Sequence, residues 1–168
     1  MHPPEGYAEF VVARSPALLR TAWLLTGDRG LAEDLVQDAL ARAWRAWPTI
    51  TRTDRPEVYV RQVMVNTSIT WARRRWRGER PTARLPEFPA TRDDAADVDA
   101  RDEVRRALAA LPARQRATVV LRFVEDLSEV QTAQVLGCSV GTVKSQTARA
   151  LARLRELLPA EQPVGGRS

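Results

Sequence analysis

Lys144, Ser145, Arg149 and Arg153 fall on one side of a stretch whose other side is apolar: Val143, Ala150, Leu151, Leu154, Leu157 and Leu158. At about 100° per residue the two sets separate into an amphipathic helix. The cationic side also carries Ala148 and Ala152. A phosphate backbone can therefore come close while the longer side chains reach base edges. Upstream, Ser128 with Gln131 three residues on reads as a capping box, Gly137 offers a left-handed stop, and Ser139 caps the next helix. Two capped helices, a three-residue turn containing glycine and a basic outer face make a helix-turn-helix, which reads duplex DNA. For any one of these arginines alone, a solvated helix face is an equally good explanation.

A second set lies earlier. Tyr59, Gln62, Asn66, Thr70, Arg73 and Arg77 line one side of a predicted helix that starts near Pro56. Aromatic, amide, hydroxyl and guanidinium groups in that order can stack on or hydrogen-bond exposed bases and then hold phosphates, as single-strand contact requires. Arg74 belongs to the same basic cluster, with Arg75 and Arg80. That cluster also suits the negative end of the helix dipole without any ligand. Asn66 has two readings, a base contact or a buried hydrogen bond inside the bundle. A third set is acidic: Asp34 and Asp38 stand one turn apart beside Gln37, opposite the apolar side formed by Leu31, Leu35, Leu40, Trp44 and Trp47. The patch suits a basic or amide-bearing partner, and acids early in a helix also suit its dipole.

These faces need helices to hold them, and the chain supplies little else. Helical periodicity runs from about residue 7 to 79. Residues 80–100 carry three prolines and a cluster of aspartates, which predicts a flexible acidic linker. Periodicity resumes over 101–158 with Val104, Leu108, Leu111, Val119, Val120 and Phe123, ahead of the helix-turn-helix. The ten residues 159–168 are expected to be a disordered tail. The fold class is all-α, two small helical domains joined by a linker. A formal net charge of +5 and a pI near 10.5 attract a polyanion, either nucleic acid or an anionic membrane surface. Cys138 is the only cysteine and His2 the only histidine, which leaves out disulfides and any metal site built from several Cys or His. Cys138 reads as a small packing residue in the turn, with redox sensing the less economical account. No apolar run reaches membrane-spanning length, and no signal peptide is recognisable, so a cytoplasmic location is expected. No nucleophile–base pair and no glycine-rich phosphate loop is present, so catalytic residues, cofactors and a small-molecule substrate are not expected.

In this order the parts resemble an extracytoplasmic-function sigma factor of the sigma-70 superfamily, in particular the SigE family of actinobacteria. DRGLAEDLVQDALARAWRAW is similar to the sigma region that docks on core RNA polymerase, and VYVRQVMVNTSITWARRR to the region that melts and reads the minus-10 element. ALAALPARQRATVVLRFVEDLSEVQTAQVLGCSVGTVKSQTARALARLR is similar to the minus-35 reader, including its GTVKS signature. The resemblance implies that Asp34, Leu35, Gln37 and Asp38 contact bacterial core polymerase. It puts Asn66 at a minus-10 base with the following arginines on the backbone, and Lys144, Ser145 and Arg149 on the minus-35 duplex. Ala148 and Gln146 stand where better-known relatives carry larger or basic residues, so the preferred minus-35 sequence does not transfer. The resemblance implies promoter DNA and core polymerase as partners and admits an anti-sigma factor. Two rivals remain. A stand-alone helix-turn-helix regulator would leave the Asn66 stripe without a purpose, and a purely protein-binding helical adaptor would show no salt-dependent DNA affinity.

Overall fold

A computed structural model of the chain describes residues 2–53, 55–76, 78 and 95–158, with 95–99 as backbone alone. Arg77, Glu79, residues 80–94 of the expected linker and the tail 159–168 lie outside the described residues. The described elements are helical, as the periodicity predicts: α1 Tyr7–Thr26, α2 Arg29–Thr51 and α3 Pro56–Trp76 in the first half. The second half has α4 Ala95–Ala109, α5 Ala113–Val119, α6 Glu129–Leu136 and α7 Val140–Leu157.

Local chemistry sets the boundaries. The Asp28 side chain accepts from the Leu31 amide at 2.8 Å to start α2. Ser128 and Gln131 form both hydrogen bonds of the predicted capping box, at 3.1 and 2.9 Å. Gly137 ends α6 with φ at +64°, a conformation that costs side-chain-bearing residues steric energy. Two expectations need correction. α4 begins at Ala95, so the last six residues of the span read as linker are helical. Phe123, predicted to share the buried face with Val119 and Val120, is 55% exposed. The reason is a π turn over Val120–Val124, which inserts an extra residue per turn and rotates Phe123 off the α-helical stripe.

α1, α2 and α3 pack as a three-helix unit around Leu35, Val60, Met64 and Val65, all without solvent exposure. An aromatic group closes one end: Tyr7 lies edge-on to Trp44 and Trp47, with centroids 4.9 and 5.2 Å away. The two halves then share a core. Ala117, Val120, Leu121, Val135 and Leu136 of the second half belong to the same buried cluster as Leu25, Met64 and Ile69 of the first. Each half is near the lower size limit for an independent core, and joining their apolar faces removes more area from water.

Polar bridges fasten the seam. The Glu125 carboxylate accepts from Thr21 Oγ1 at 2.5 Å and from Arg61 Nε at 3.1 Å. Arg116 donates to the Leu25 carbonyl across the seam at 2.8 Å, and to the carbonyls of Leu108, Ala109 and Leu111 at the end of α4. Arg105 stacks its guanidinium 3.6 Å from the Trp23 ring centroid. At Gly27, φ is +71°, which strains any side chain, and an added Cβ would lie 3.1 Å from that of Ala109, so the halves meet closely there.

Candidate nucleic-acid interface

The outer face of α7 is built as the sequence predicts. Ser139 accepts from the Thr142 amide at 3.1 Å and starts the helix. Val143 and Ala150, fully buried, seat it against the second half. Lys144, Ser145, Ala148, Arg149, Ala152 and Arg153 consequently face solvent. Among the described residues Lys144, Arg149 and Arg153 take part in no ion pair, so their charge is available to a polyanion. The apolar side is less complete than expected at its end, where Leu157 is exposed.

On α3, burial of Val60, Met64, Val65, Thr67, Ser68 and Ile69 turns the opposite side outward. Gln62, Asn66, Thr70, Arg73 and Arg74 are exposed and Tyr59 is half-buried. Exposure decides between the two readings of Asn66: its side chain is not spent on a buried bond in the bundle. Thr70 Oγ1 donates to the Asn66 main-chain carbonyl at 3.0 Å, a bond that does not engage the Asn66 side chain. Arg77 lies outside the described residues. Trp76, at the end of the helix, is 92% exposed and is not a core residue.

On α2 the acidic patch is only partly as expected. Asp34 and Gln37 are exposed, while Asp38 is half-buried and pairs with Arg42 at 3.2 Å. Leu35 requires correction as a contact residue: it has no exposed surface and packs in the centre of the first half. Helical geometry puts it one residue past Asp34, about 100° round, on the core side. Beside Gln37 runs a groove of about 580 Å³ between α1 and α2, lined by Val11, Ser15 and Leu19 with Ala41, Trp44 and Arg45. Sequence reasoning did not assign the α1 wall, although Val11, Ser15 and Leu19 recur every four residues and so share a face.

Cations also gather at the seam. Burial pushes the Arg116 guanidinium below its ordinary pKa, and the positive charge of Arg75 adds to that. Arg75 and Arg116 border a small cavity with Trp71 and Trp76. No group of acidic, His or Cys side chains among the described residues could hold a metal ion, and no described helix is long and apolar enough to cross a membrane.

An acidic patch on α2, a polar and basic stripe on α3 and a helix-turn-helix formed by α6 and α7 are the features of a transcription factor of the polymerase-docking kind. Comparison with known proteins agrees with that class. Sigma-70 region 2 matches residues 10–78 and sigma-70 region 4 matches residues 101–154. The chain belongs to the sigma-70 family of RNA polymerase sigma factors, in its extracytoplasmic-function branch. It is 46% identical over 155 residues to the RNA polymerase sigma-E factor of Streptomyces coelicolor, covering 92% of this chain and 86% of that protein. The ECF RNA polymerase sigma factor SigM of Mycobacterium tuberculosis is 37% identical over 127 residues, covering 76% and 64%. Among solved structures, the sigma factor RpoE in complex with the anti-sigma factor NepR from Bartonella quintana superposes with a TM-score of 0.73 at 27% identity. The match covers 93% of this chain and 98% of that one. CnrH in complex with the cytosolic domain of CnrY gives 0.64 at 27% identity, covering 93% and 89%.

Proposed function

We propose that this chain is an alternative sigma factor that joins bacterial core RNA polymerase mainly through α2 and directs it to promoters through α3 and α7. Asp34, Gln37 and Asp38 contact the polymerase, and Leu35 supports them from the core beneath. Tyr59, Gln62, Asn66 and Thr70 capture unpaired bases at the minus-10 element, and Arg73, Arg74 and Arg77 hold the adjoining phosphates. Base stacking and amide hydrogen bonds, about 1–3 kcal/mol per stacked base, offset the cost of opening the duplex. Lys144, Ser145, Arg149 and Arg153 engage the minus-35 duplex in its major groove. The observation that carries this reading is the exposed Gln62–Asn66–Thr70–Arg73 stripe in the same chain as a helix-turn-helix. A conventional duplex-binding regulator has no use for it.

The factor binds and positions, with no catalytic step and no cofactor of its own, and it works in the cytoplasm, where core polymerase is found. Residues 7–79 and 101–158 act as the two functional domains. One protein of similar fold was captured with an anti-sigma factor, and another with the cytosolic domain of CnrY. An anti-sigma factor is accordingly a partner of this chain as well.

The test is capture of purified core polymerase by the full chain, followed by transcription from a promoter-fragment library. Wild type is expected to capture polymerase and give discrete starts, whereas Asp38→Arg loses capture. Arg149→Ala is expected to keep capture and to lose about tenfold in minus-35-dependent transcription, the scale of one base-edge contact. A chain that ignores polymerase yet binds duplex DNA is a stand-alone regulator. Equal loss of both activities in Arg149→Ala also overturns the assignment.

A further inference from the structure

The two arginine-bearing faces share a cleft. Arg73 and Trp76 at the end of α3 stand across from Arg149 and Arg153 of α7, and Arg114 at the start of α5 adds a third wall around a space of about 800 Å³. All four arginines reach solvent, and no Asp or Glu among the described residues lines the cleft. Like charges gathered without a carboxylate repel one another, and an anion placed among them relieves that repulsion. The floor is apolar, with Ile69, Ala72 and Leu111, and the indole of Trp76 stands free above it.

Amides complete the lining. Gln146 faces the cleft from α7, and the Gln115 side-chain oxygen is shielded from solvent without a donor among the described residues. An indole to stack on, amides to meet base edges and guanidinium groups for phosphates are the equipment of a single-strand site.

We propose that, with its two halves packed together, this chain binds a short single-stranded nucleic acid in the cleft between them, independently of promoter sequence. The strand touches both halves at once and so favours the closed arrangement. It also engages Arg73, Arg149 and Arg153, which promoter binding needs, so strand and promoter compete. Binding to one state only shifts the population toward it, which makes the strand a negative regulator of polymerase engagement.

The test uses the full chain without polymerase, which separates it from the promoter reading. Fluorescein-labelled six-residue homopolymers of RNA and of DNA, and a short labelled duplex, are titrated by anisotropy at several salt concentrations. Single strands are expected to bind more tightly than the duplex, with affinity falling steeply as salt rises. Trp76→Ala and Arg114→Glu each lower strand affinity about tenfold, in the range of one lost stacking or phosphate contact. Arg20→Glu, the same charge change on an exposed position outside the cleft, leaves it unchanged. Both cleft residues are exposed, and circular dichroism melts verify that the variants fold. The RNA and DNA arms identify which strand supports binding better. Duplex affinity equal to single-strand affinity, or Arg114→Glu binding like wild type, overturns the proposal.

Discussion

Tyr7 joins the first helix to the second through one hydroxyl, which donates to the Leu40 carbonyl at 2.8 Å. Burial raises its pKa above the ordinary 10.0, because a phenolate there would lose hydration. A raised folded-state pKa means that the stabilisation is fully present below pH 10.0 and is lost as pH rises through the folded value. Tyr7→Phe is therefore expected to cost about 1 kcal/mol at neutral pH. Denaturant unfolding of both proteins should show the gap closing above pH 10.0; a gap that stays constant there would remove the hydroxyl from the account. At this scale the sequence was informative about residue type and less so about direction. Asp34 and Leu35 are neighbours in the chain, yet one meets solvent and the other the core, as a 100° step requires.

Among the elements, the helix-turn-helix was the most legible because its signals are local. A serine hydroxyl, a glutamine three residues later and a glycine able to take positive φ act over a single turn, and all three form as expected. Ser128→Ala is expected to cost about 1 kcal/mol. A chain of this length should lose roughly 2–4 °C in a thermal melt for that amount, with the recognition helix still formed. The π turn was not legible, since nothing in VLRFV distinguishes it from ordinary α-helix. It forms where α5 must deliver Val120 and Leu121 to the shared core and then bring Glu125 to Thr21 and Arg61. The early start of α4 escaped notice for the opposite reason: the aspartates that suggested a linker also suit the N-terminal part of a helix.

For the whole molecule, the seam between halves is the feature with most bearing on function. Minus-10 and minus-35 elements are about 25 base pairs apart by their names, roughly 85 Å at 3.4 Å per pair. Arg73 and Arg149 line one cleft, so the proposed reading, with α3 on one element and α7 on the other, requires the halves to part. Dyes on Val12→Cys and Arg155→Cys, with Cys138 replaced by Ser, are expected to show energy transfer that drops when core polymerase is added. Unchanged transfer would mean that promoter reading proceeds from the closed form. Arg116 is the chief polar tie, four carbonyls on one side chain, and it spans the seam. Arg116→Ala is expected to cost about 3 kcal/mol, since charge-assisted bonds contribute more than neutral ones and the carbonyls are left unmet. That loss should appear as a fall of roughly 6–12 °C in the melting temperature.

Composition and periodicity by themselves determined the helices, the helix-turn-helix and its basic face, and the stripe on α3, because each depends on interactions within a few turns. Tertiary structure alone decided that Leu35 is buried, that Asn66 is free for a ligand, and that Phe123 and Trp76 face solvent. It alone brought Arg73 and Arg114 to the same cleft as Arg149. Those outcomes depend on how two halves, each near the lower size limit for a core of its own, meet across a seam, and residues separated by scores of positions carry no local pattern that announces their contact.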